Sequence, residues 1–369
     1  MTAKGAQLAL AALLAGGVSL PLPVAAAPGL APKPAAQRPT VRVPVPEGAP
    51  GATAEPTRAL ALLVLAAQAA HQRSWSGTQY VASAQGGAAR LAVIEVRHDP
   101  ATGLQVTAAA PEDEDVAAAV TEVQTEVPDE RLLGVLAANY QLRVARGTRL
   151  LGRPADVVEA WRPGAATPSG RFWLDGASGL VLRREVYDPH GTLLRSAAYA
   201  SLDLAVGSAP ARTAPLPPEM SSAGLSGLAA SVGVSDGRWT VPQTLPGHLQ
   251  LFNAAITAPE GVRVLHLAYS DGLSRLSLFA QPGRLGEQAL TGFVHQPLAG
   301  ADTWVLPASP QRVVWNGGGT VWTLLSDAPT EVIGQVVGAL PREVPPDRGL
   351  WARLSRGLSR VGSWLNPFA

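Results

Sequence analysis

Apolar and polar positions divide the chain into segments of two kinds. Residues 57–73 carry Leu60, Leu62, Leu63, Leu65 and Ala66 in a strongly helix-favouring run, with Thr57 as the expected N-cap. Residues 77–84 and 90–97 alternate in part as strands do, and 103–109 reads as a third strand. A second helix is expected over 128–140, where Pro128 precedes Asp129 and Glu130 in the first turn. Strand patterns follow at 141–151, 155–161, 170–174, 180–187 and 192–204. Between them stand Asp175-Gly176-Ala177-Ser178-Gly179 and Asp188-Pro189-His190-Gly191. Short turns between successive strands favour an antiparallel meander, because parallel neighbours need crossovers of about a dozen residues or more. The expectation is a curved antiparallel sheet with two helices covering one face.

The pattern restarts after Trp239, with strands expected at 249–256, 262–270, 274–280, 291–296 and 303–306. A hairpin pairs 312–315 with 320–325 across Asn316-Gly317-Gly318-Gly319. Residues 330–340 form an amphipathic helix with Val332, Val336, Val337 and Leu340 on or near one face. This second unit is a smaller α+β domain.

The ends and breaks complete the division. Lys4 precedes an apolar stretch from 6 to 24, interrupted by Gln7 and Ser19, and Ala25-Ala26-Ala27 follows. This is the pattern of a secretory signal, and Gly16, Gly17, Pro21 and Pro23 break any continuous membrane helix. The expected divisions are a signal at 1–27, a Pro/Ala-rich tether at 28–56, a large domain at 57–206, a linker at 207–237, a small domain at 238–343 and a basic tail at 344–369. In the tail, Leu350, Trp351, Leu354, Leu358, Val361, Trp364 and Leu365 fall within about 140° of arc on a helical wheel. Arg353, Arg356 and Arg360 lie outside it. Such a helix is about 24 Å long, too short to span a bilayer. Three seats remain open for its apolar face: the chain's own small domain, a membrane surface or a partner protein.

Composition narrows the chemistry. The 369 residues are 47% hydrophobic and 15% charged, with a net charge of +1, which gives no global electrostatic reason for a nucleic-acid partner. Cysteine is absent, which excludes disulfides, thiolate metal sites and cysteine nucleophiles. His71, His98, His190, His248, His266 and His295 include no pair at the i, i+4 spacing of a helical zinc site, so neither metal nor cofactor is expected. Glu112-Asp113-Glu114-Asp115 lacks the glycine and spaced final Glu of a calcium loop and reads as a solvated acidic loop. Gly233-Val234-Ser235-Asp236-Gly237 has the spacing of a nucleophile elbow, with Asp271 and His295 downstream in hydrolase order. Its context is Ser, Gly and Ala linker rather than a strand before and a helix after, so no enzyme is expected.

Several segments together resemble the MucB/RseB family of extracytoplasmic sigma-factor regulators. They are Trp75-Ser76-Gly77-Thr78-Gln79-Tyr80, Leu151-Gly152-Arg153-Pro154-Ala155, Arg171-Phe172-Trp173-Leu174-Asp175 with the run from Gly179 to Asp188, and Tyr269-Ser270-Asp271-Gly272-Leu273 leading to Ser277-Leu278-Phe279. Trp75 stands where Tyr is more usual. The resemblance implies a large domain like the lipoprotein carriers, a half-open antiparallel barrel packed around helices with an apolar cavity. It also implies a non-catalytic, exported regulator, periplasmic or on the outer face of the cytoplasmic membrane. Such a protein binds the outer segment of an anti-sigma factor, shields it from proteolysis and releases it on a lipid-like signal. The alternative is a lipid or lipoprotein carrier of the same fold. Cavity candidates are Tyr80, Phe172, Trp173, Tyr187 and Tyr199, whose wide apolar faces suit acyl chains. Arg171, Arg183 and Arg184 are candidates to meet acidic groups on a partner or a lipid.

Overall fold

The computed structural model describes residues 53–85, 88–108, 130–204, 241–258, 262–306 and 310–342. The expected signal, most of the tether, the acidic stretch at 112–115, the linker with Ser235, and the tail all lie outside these residues.

The chain enters through a short strand β1 (Thr53–Ala54) and the helix α1 (Pro56–Gln72). Strands β2 (Trp75–Gln85), β3 (Ala88–Asp99) and β4 (Gly103–Ala108) follow. After helix α2 (Glu130–Asn139) come β5 (Gln141–Leu150), β6 (Arg153–Trp161), β7 (Gly170–Asp175), β8 (Val181–Tyr187) and β9 (Leu193–Leu204). They form a nine-stranded sheet in the order β1-β5-β6-β7-β8-β9-β2-β3-β4. Every pairing is antiparallel, so the meander expected from the turns is present, with β2 closing against β9.

Helix α1 begins one residue earlier than expected. Pro56 occupies the first turn, and Glu55, not Thr57, is the N-cap, without a side-chain capping bond. Proline fits there because its missing N–H is one the first turn leaves unpaired anyway. Ala59, Leu63, Val64, Ala66, Ala67, Ala69 and Ala70 are buried, and alanine in most of these positions lets the helix axis approach the sheet closely. One core joins α1 and α2 to β5, β6 and β7 through Leu63, Leu136, Val144, Val158, Phe172 and Leu174. A second lies under the end of α1, where Trp75, Ile94, Val96 and Tyr199 meet Ala69 and Ala70.

The turns hold by side-chain caps. Asp175 Oδ2 accepts both the backbone N–H and the hydroxyl of Ser178, at 2.8 and 2.6 Å. Arg153 grips the same carboxylate with two parallel bonds of 2.9 Å, tying the β5–β6 tip to the β7–β8 turn. At the next turn Asp188 accepts from the His190 and Thr192 amides, each at 2.8 Å.

The second unit contains β10 (Thr244–Leu245), β11 (Leu249–Thr257), β12 (Val264–Ser270), β13 (Arg275–Pro282), β14 (Val294–His295), β15 (Thr303–Leu306), β16 (Gln311–Gly317), β17 (Thr320–Ser326) and helix α3 (Thr330–Ala339). Its sheet runs β10-β11-β12-β13-β17-β16-β15-β14. Ile333, Val336 and Val337 of α3 pack on Leu251, Leu267, Tyr269 and Trp315. Two expectations change. The strand expected at 291–296 shrinks to Val294–His295 behind a 3₁₀ turn at Glu287–Leu290. The hairpin turn tightens to Gly318-Gly319, at φ 61° and 73°, because both central positions of this two-residue turn need the left-handed region that glycine enters freely.

Burial raises the Asp175 carboxyl, but the bonds from Arg153 and Ser178 outweigh it and hold its pKa below the usual 3.8. A depressed acid contributes stability above its unfolded pKa and loses it as pH falls through the folded one. Asp175→Ala is therefore expected to cost about 2–3 kcal/mol in urea unfolding at pH 7. The gap between the two proteins should narrow as pH drops below about 4. An equal cost at pH 7 and pH 2 would contradict this role.

Candidate functional site at the domain joint

Most of the contacts between the two sheets gather at the turn from Ser270 to Ser274, between β12 and β13. Ser270 and Asp271 shape it from within. Ser270 Oγ donates to Ser274 O at 2.7 Å and accepts from Gly272 N at 2.9 Å, while Asp271 Oδ1 accepts from Leu273 N and Ser274 N at 2.9 and 2.7 Å. The other oxygen faces the large domain. Asp271 Oδ2 accepts from the Tyr140 hydroxyl at 2.6 Å and from Arg162 Nη2 at 2.7 Å. Asn139 Nδ2 bridges Asp271 O and His248 O at 3.0 and 3.2 Å. Each Asp271 oxygen is thus filled, and the residue is 3% exposed.

The next two residues make the contact close. Gly272 sits at φ +99°, and a Cβ there would lie 2.5 Å from the Leu136 backbone of α2. Only glycine fits. Leu273 then enters the large-domain core, packed with Leu136, Tyr140, Val158 and Phe172. It fills a notch at Gly170, whose added Cβ would stand 2.8 Å from Leu273 Cδ2. Its carbonyl accepts from Arg184 Nη2 at 2.8 Å and Arg195 Nη2 at 3.1 Å. Arg195 also pairs with Asp327, whose Oδ1 takes the Arg275 amide at 2.6 Å.

Beside this turn is a cleft of about 210 Å³ with walls from both domains, including Arg162, Tyr187, His190, Leu273, Glu331 and Val332. Burial, then the Asp271 charge, pushes the Tyr140 phenol well above its usual 10.0, although Arg162 opposes this. The hydrolase order does not become a catalytic group. Asp271 is consumed by the joint, and His295 pairs with Asp302. Among the described residues no cluster of three His, Asp or Glu is placed to hold a metal.

The strand register sorts the expected site residues onto two faces. Phe172, Arg184 and Tyr199 lie on the α1 side, Phe172 and Tyr199 in separate core clusters. Arg184 stands over the Phe172 ring at 5.6 Å and serves the joint. Tyr80, Arg171, Trp173 and Arg183 lie on the opposite face. Tyr187, at the strand end, joins them through a ladder that the sequence did not reveal. Arg143 covers Trp161 at 4.2 Å; Trp161 Nε1 donates to Glu159 at 3.0 Å; Arg171 Nε donates to Glu159 at 2.8 Å. Arg171 also faces Tyr187, whose hydroxyl donates to Glu185, and Arg183 donates to Glu185 while covering Trp173 at 5.4 Å. Charge and aromatic character therefore alternate across four strands, with both carboxylates buried. The five aromatics occupy several places rather than one cavity.

Fold and joint together define an α+β protein of two antiparallel sheets, the smaller joined to the larger chiefly through the turn that carries Asp271 and Leu273. Residues 101–220 match the family model for the MucB/RseB N-terminal domain. No curated protein matches the chain. Among solved structures, the crystal structure of MucB in complex with MucA(peri) is 19% identical, covering 77% of this chain and 98% of that one at a TM-score of 0.42. The Pseudomonas aeruginosa MucA/MucB complex is 19% identical, covering 78% and 99% at 0.41. The crystal structure of MucB is 20% identical, covering 78% and 98% at 0.41.

Two measurements probe the joint. Asp271→Ala leaves Tyr140 and Arg162 without their acceptor and is expected to cost about 2–3 kcal/mol in denaturant unfolding, while Tyr140→Phe costs about 1 kcal/mol. The raised phenol gives an alkaline signature. Its contribution is full below pH 10 and is lost as pH rises above that value, because the unfolded chain then ionises first. Absorbance at 295 nm should show wild-type stability falling above about pH 10 and the Tyr140→Phe protein falling less; identical alkaline limbs would contradict the assignment.

Proposed function

We propose that this chain is a non-catalytic extracytoplasmic regulator, periplasmic or on the outer face of the cytoplasmic membrane. It binds the outer segment of an anti-sigma factor, shields that segment from proteolysis and lets it go when a lipid-like signal binds. The observation that carries the reading is the family match at residues 101–220, which takes in β5 to β9, the strands that bear both the charge ladder and the socket for Leu273. One of the similar MucB structures is a complex with MucA(peri). No helix among the described residues is long and apolar enough to cross a membrane, so contact with a bilayer is assigned to the tail at 344–369, outside those residues.

In this reading, the ladder face meets the partner. Arg171 has 36% of its side chain exposed, shares Glu159 with Trp161 and faces the Tyr187 ring. Arg184 acts instead within the joint. The socket under α1 and α2, with Phe172 at its wall, receives the lipid-like signal, in keeping with a half-barrel of the lipoprotein-carrier type.

The test is direct binding by titration calorimetry of the mature chain, residues 28–369, with the outer segment of the cognate anti-sigma factor. A micromolar or tighter complex is expected, and Arg171→Glu should weaken it about tenfold. No heat of binding with the tail intact would refute the regulator. Removing residues 344–369 should lower co-sedimentation with anionic liposomes without weakening the protein complex; unchanged sedimentation would take the membrane role from the tail.

A further inference from the structure

The cleft beside the Ser270 to Ser274 turn holds polar groups that the joint does not use. Arg162 spends Nη2 on Asp271 and lays its guanidinium over the Tyr140 ring at 4.9 Å, which fixes the plane of the group. Its Nε and Nη1 have no hydrogen-bond partner among the described residues, and 31% of the side chain stays exposed. Ser274 also lines the cleft and is only 4% exposed. Its N–H and carbonyl close the turn, yet its hydroxyl has no partner among the described residues. A buried hydroxyl left so is costly unless the space beside it supplies a partner. From the small domain comes Glu331, in the first turn of α3, with an exposed carboxylate that is likewise unpaired among the described residues. The rest of the wall includes the apolar side chains of Val186, Leu194 and Val332.

We infer that this cleft binds a small zwitterion, a free amino acid or a dipeptide, whose carboxylate meets Arg162 and Ser274 and whose ammonium meets Glu331. The polarity follows from where the groups originate. The unspent cation belongs to the large domain and the unspent carboxylate to the small one, so a ligand that satisfies both carries both charges and touches both domains. Size points the same way: about 210 Å³ lies below the roughly 300–1,000 Å³ of sites for drug-sized molecules. The apolar part of the wall suits a branched aliphatic side chain. Because both domains build the cleft, it has this form only while they are docked, and its occupant favours the docked state. The site stands apart from the regulator proposed above and involves no lipid.

The experiment is titration calorimetry of the mature chain, residues 28–369, with L-leucine and with leucyl-leucine. At least one should bind with a Kd below about 1 mM. Tighter binding of leucine assigns the site to a free amino acid, and tighter binding of leucyl-leucine assigns it to peptides. The C-terminal amide of the tighter probe, which lacks the carboxylate, should bind at least about tenfold more weakly, and its deaminated analogue about threefold more weakly. Arg162→Gln should cost at least about tenfold, Ser274→Ala about threefold while keeping every bond of the joint, and Glu331→Gln about threefold for the zwitterion but nothing for the deaminated analogue. Arg162→Gln also loosens the joint, so Asp327→Ala, which removes the partner of Arg195 away from the cleft, is the comparison and should bind within about twofold of wild type. Binding of neither zwitterion, an amide that binds as tightly as its acid, a Glu331→Gln protein that binds like wild type, or equal losses in Asp327→Ala and Arg162→Gln would each overturn the site.

Discussion

Two domains lean on the carboxylate of Asp271, which is almost wholly buried. Buried carboxylates persist only when every lone pair has a donor, and here the donors are divided by origin. The turn's own amides fill one oxygen, and Tyr140 and Arg162 of the large domain fill the other. The small domain can satisfy Asp271 only while docked. Undocked, Oδ2 must be hydrated again, and Tyr140 loses the acceptor for a hydroxyl held in an apolar setting. The same turn delivers Leu273 into the neighbouring core, so hydrogen bonding and apolar burial report on one event.

This constraint explains features of the large domain that look unrelated along the chain. Gly170 opens β7, but its lack of a side chain matters because a leucine from another sheet occupies the space. Arg184 and Arg195 lie on adjacent strands and point to one carbonyl, Leu273 O. Helix α2 ends at Asn139, and Asn139 and the Tyr140 that follows both bond Asp271, so this helix is as much a bracket for the small domain as a cover for its own sheet. On the other face of the sheet the charges are managed differently. Glu159 and Glu185 are buried among arginines and rings, which neutralises them locally, and Arg171 keeps 36% of its side chain exposed.

Much of the architecture was legible because its causes are local. Alternation and turn chemistry at Asp175 to Gly179 and at Asp188 to Gly191 suffice to place β7, β8 and β9, and an alanine- and leucine-rich run places α1. Errors arose where local signals are weak or ambiguous. Thr57 is a good cap by type, yet Pro56 already fits the first turn, and a two-residue strand such as Val294–His295 has no period to detect. The joint was half visible: Asp271-Gly272-Leu273 stood out as a motif, but its partners Tyr140, Arg162, Arg184 and Arg195 are 78 to 131 residues away in the chain. Ladder residues Arg143, Glu159, Trp161 and Glu185 were missed for the same reason. Their neighbours are set by strand register, which no single segment encodes.

The strength of such a joint bounds what it can do. Turning a docked population from about 99% to about 1% needs roughly 5.5 kcal/mol of differential binding. A bond to a buried charge contributes about 1.5–3 kcal/mol and a buried leucine about 2. One carboxylate with two cross-domain donors, one leucine, two arginine-to-carbonyl bonds, the Asn139 bonds and the Arg195–Asp327 pair together reach that figure, whereas none of them does so alone. A large apolar interface would hold the domains more tightly, and a purely polar one would gain little over hydration of the same groups. A single inserted leucine, ringed by satisfied polar groups, sits between these limits, with most of the joint in one turn of five residues, Ser270 to Ser274, and the remainder at His248 and Asp327.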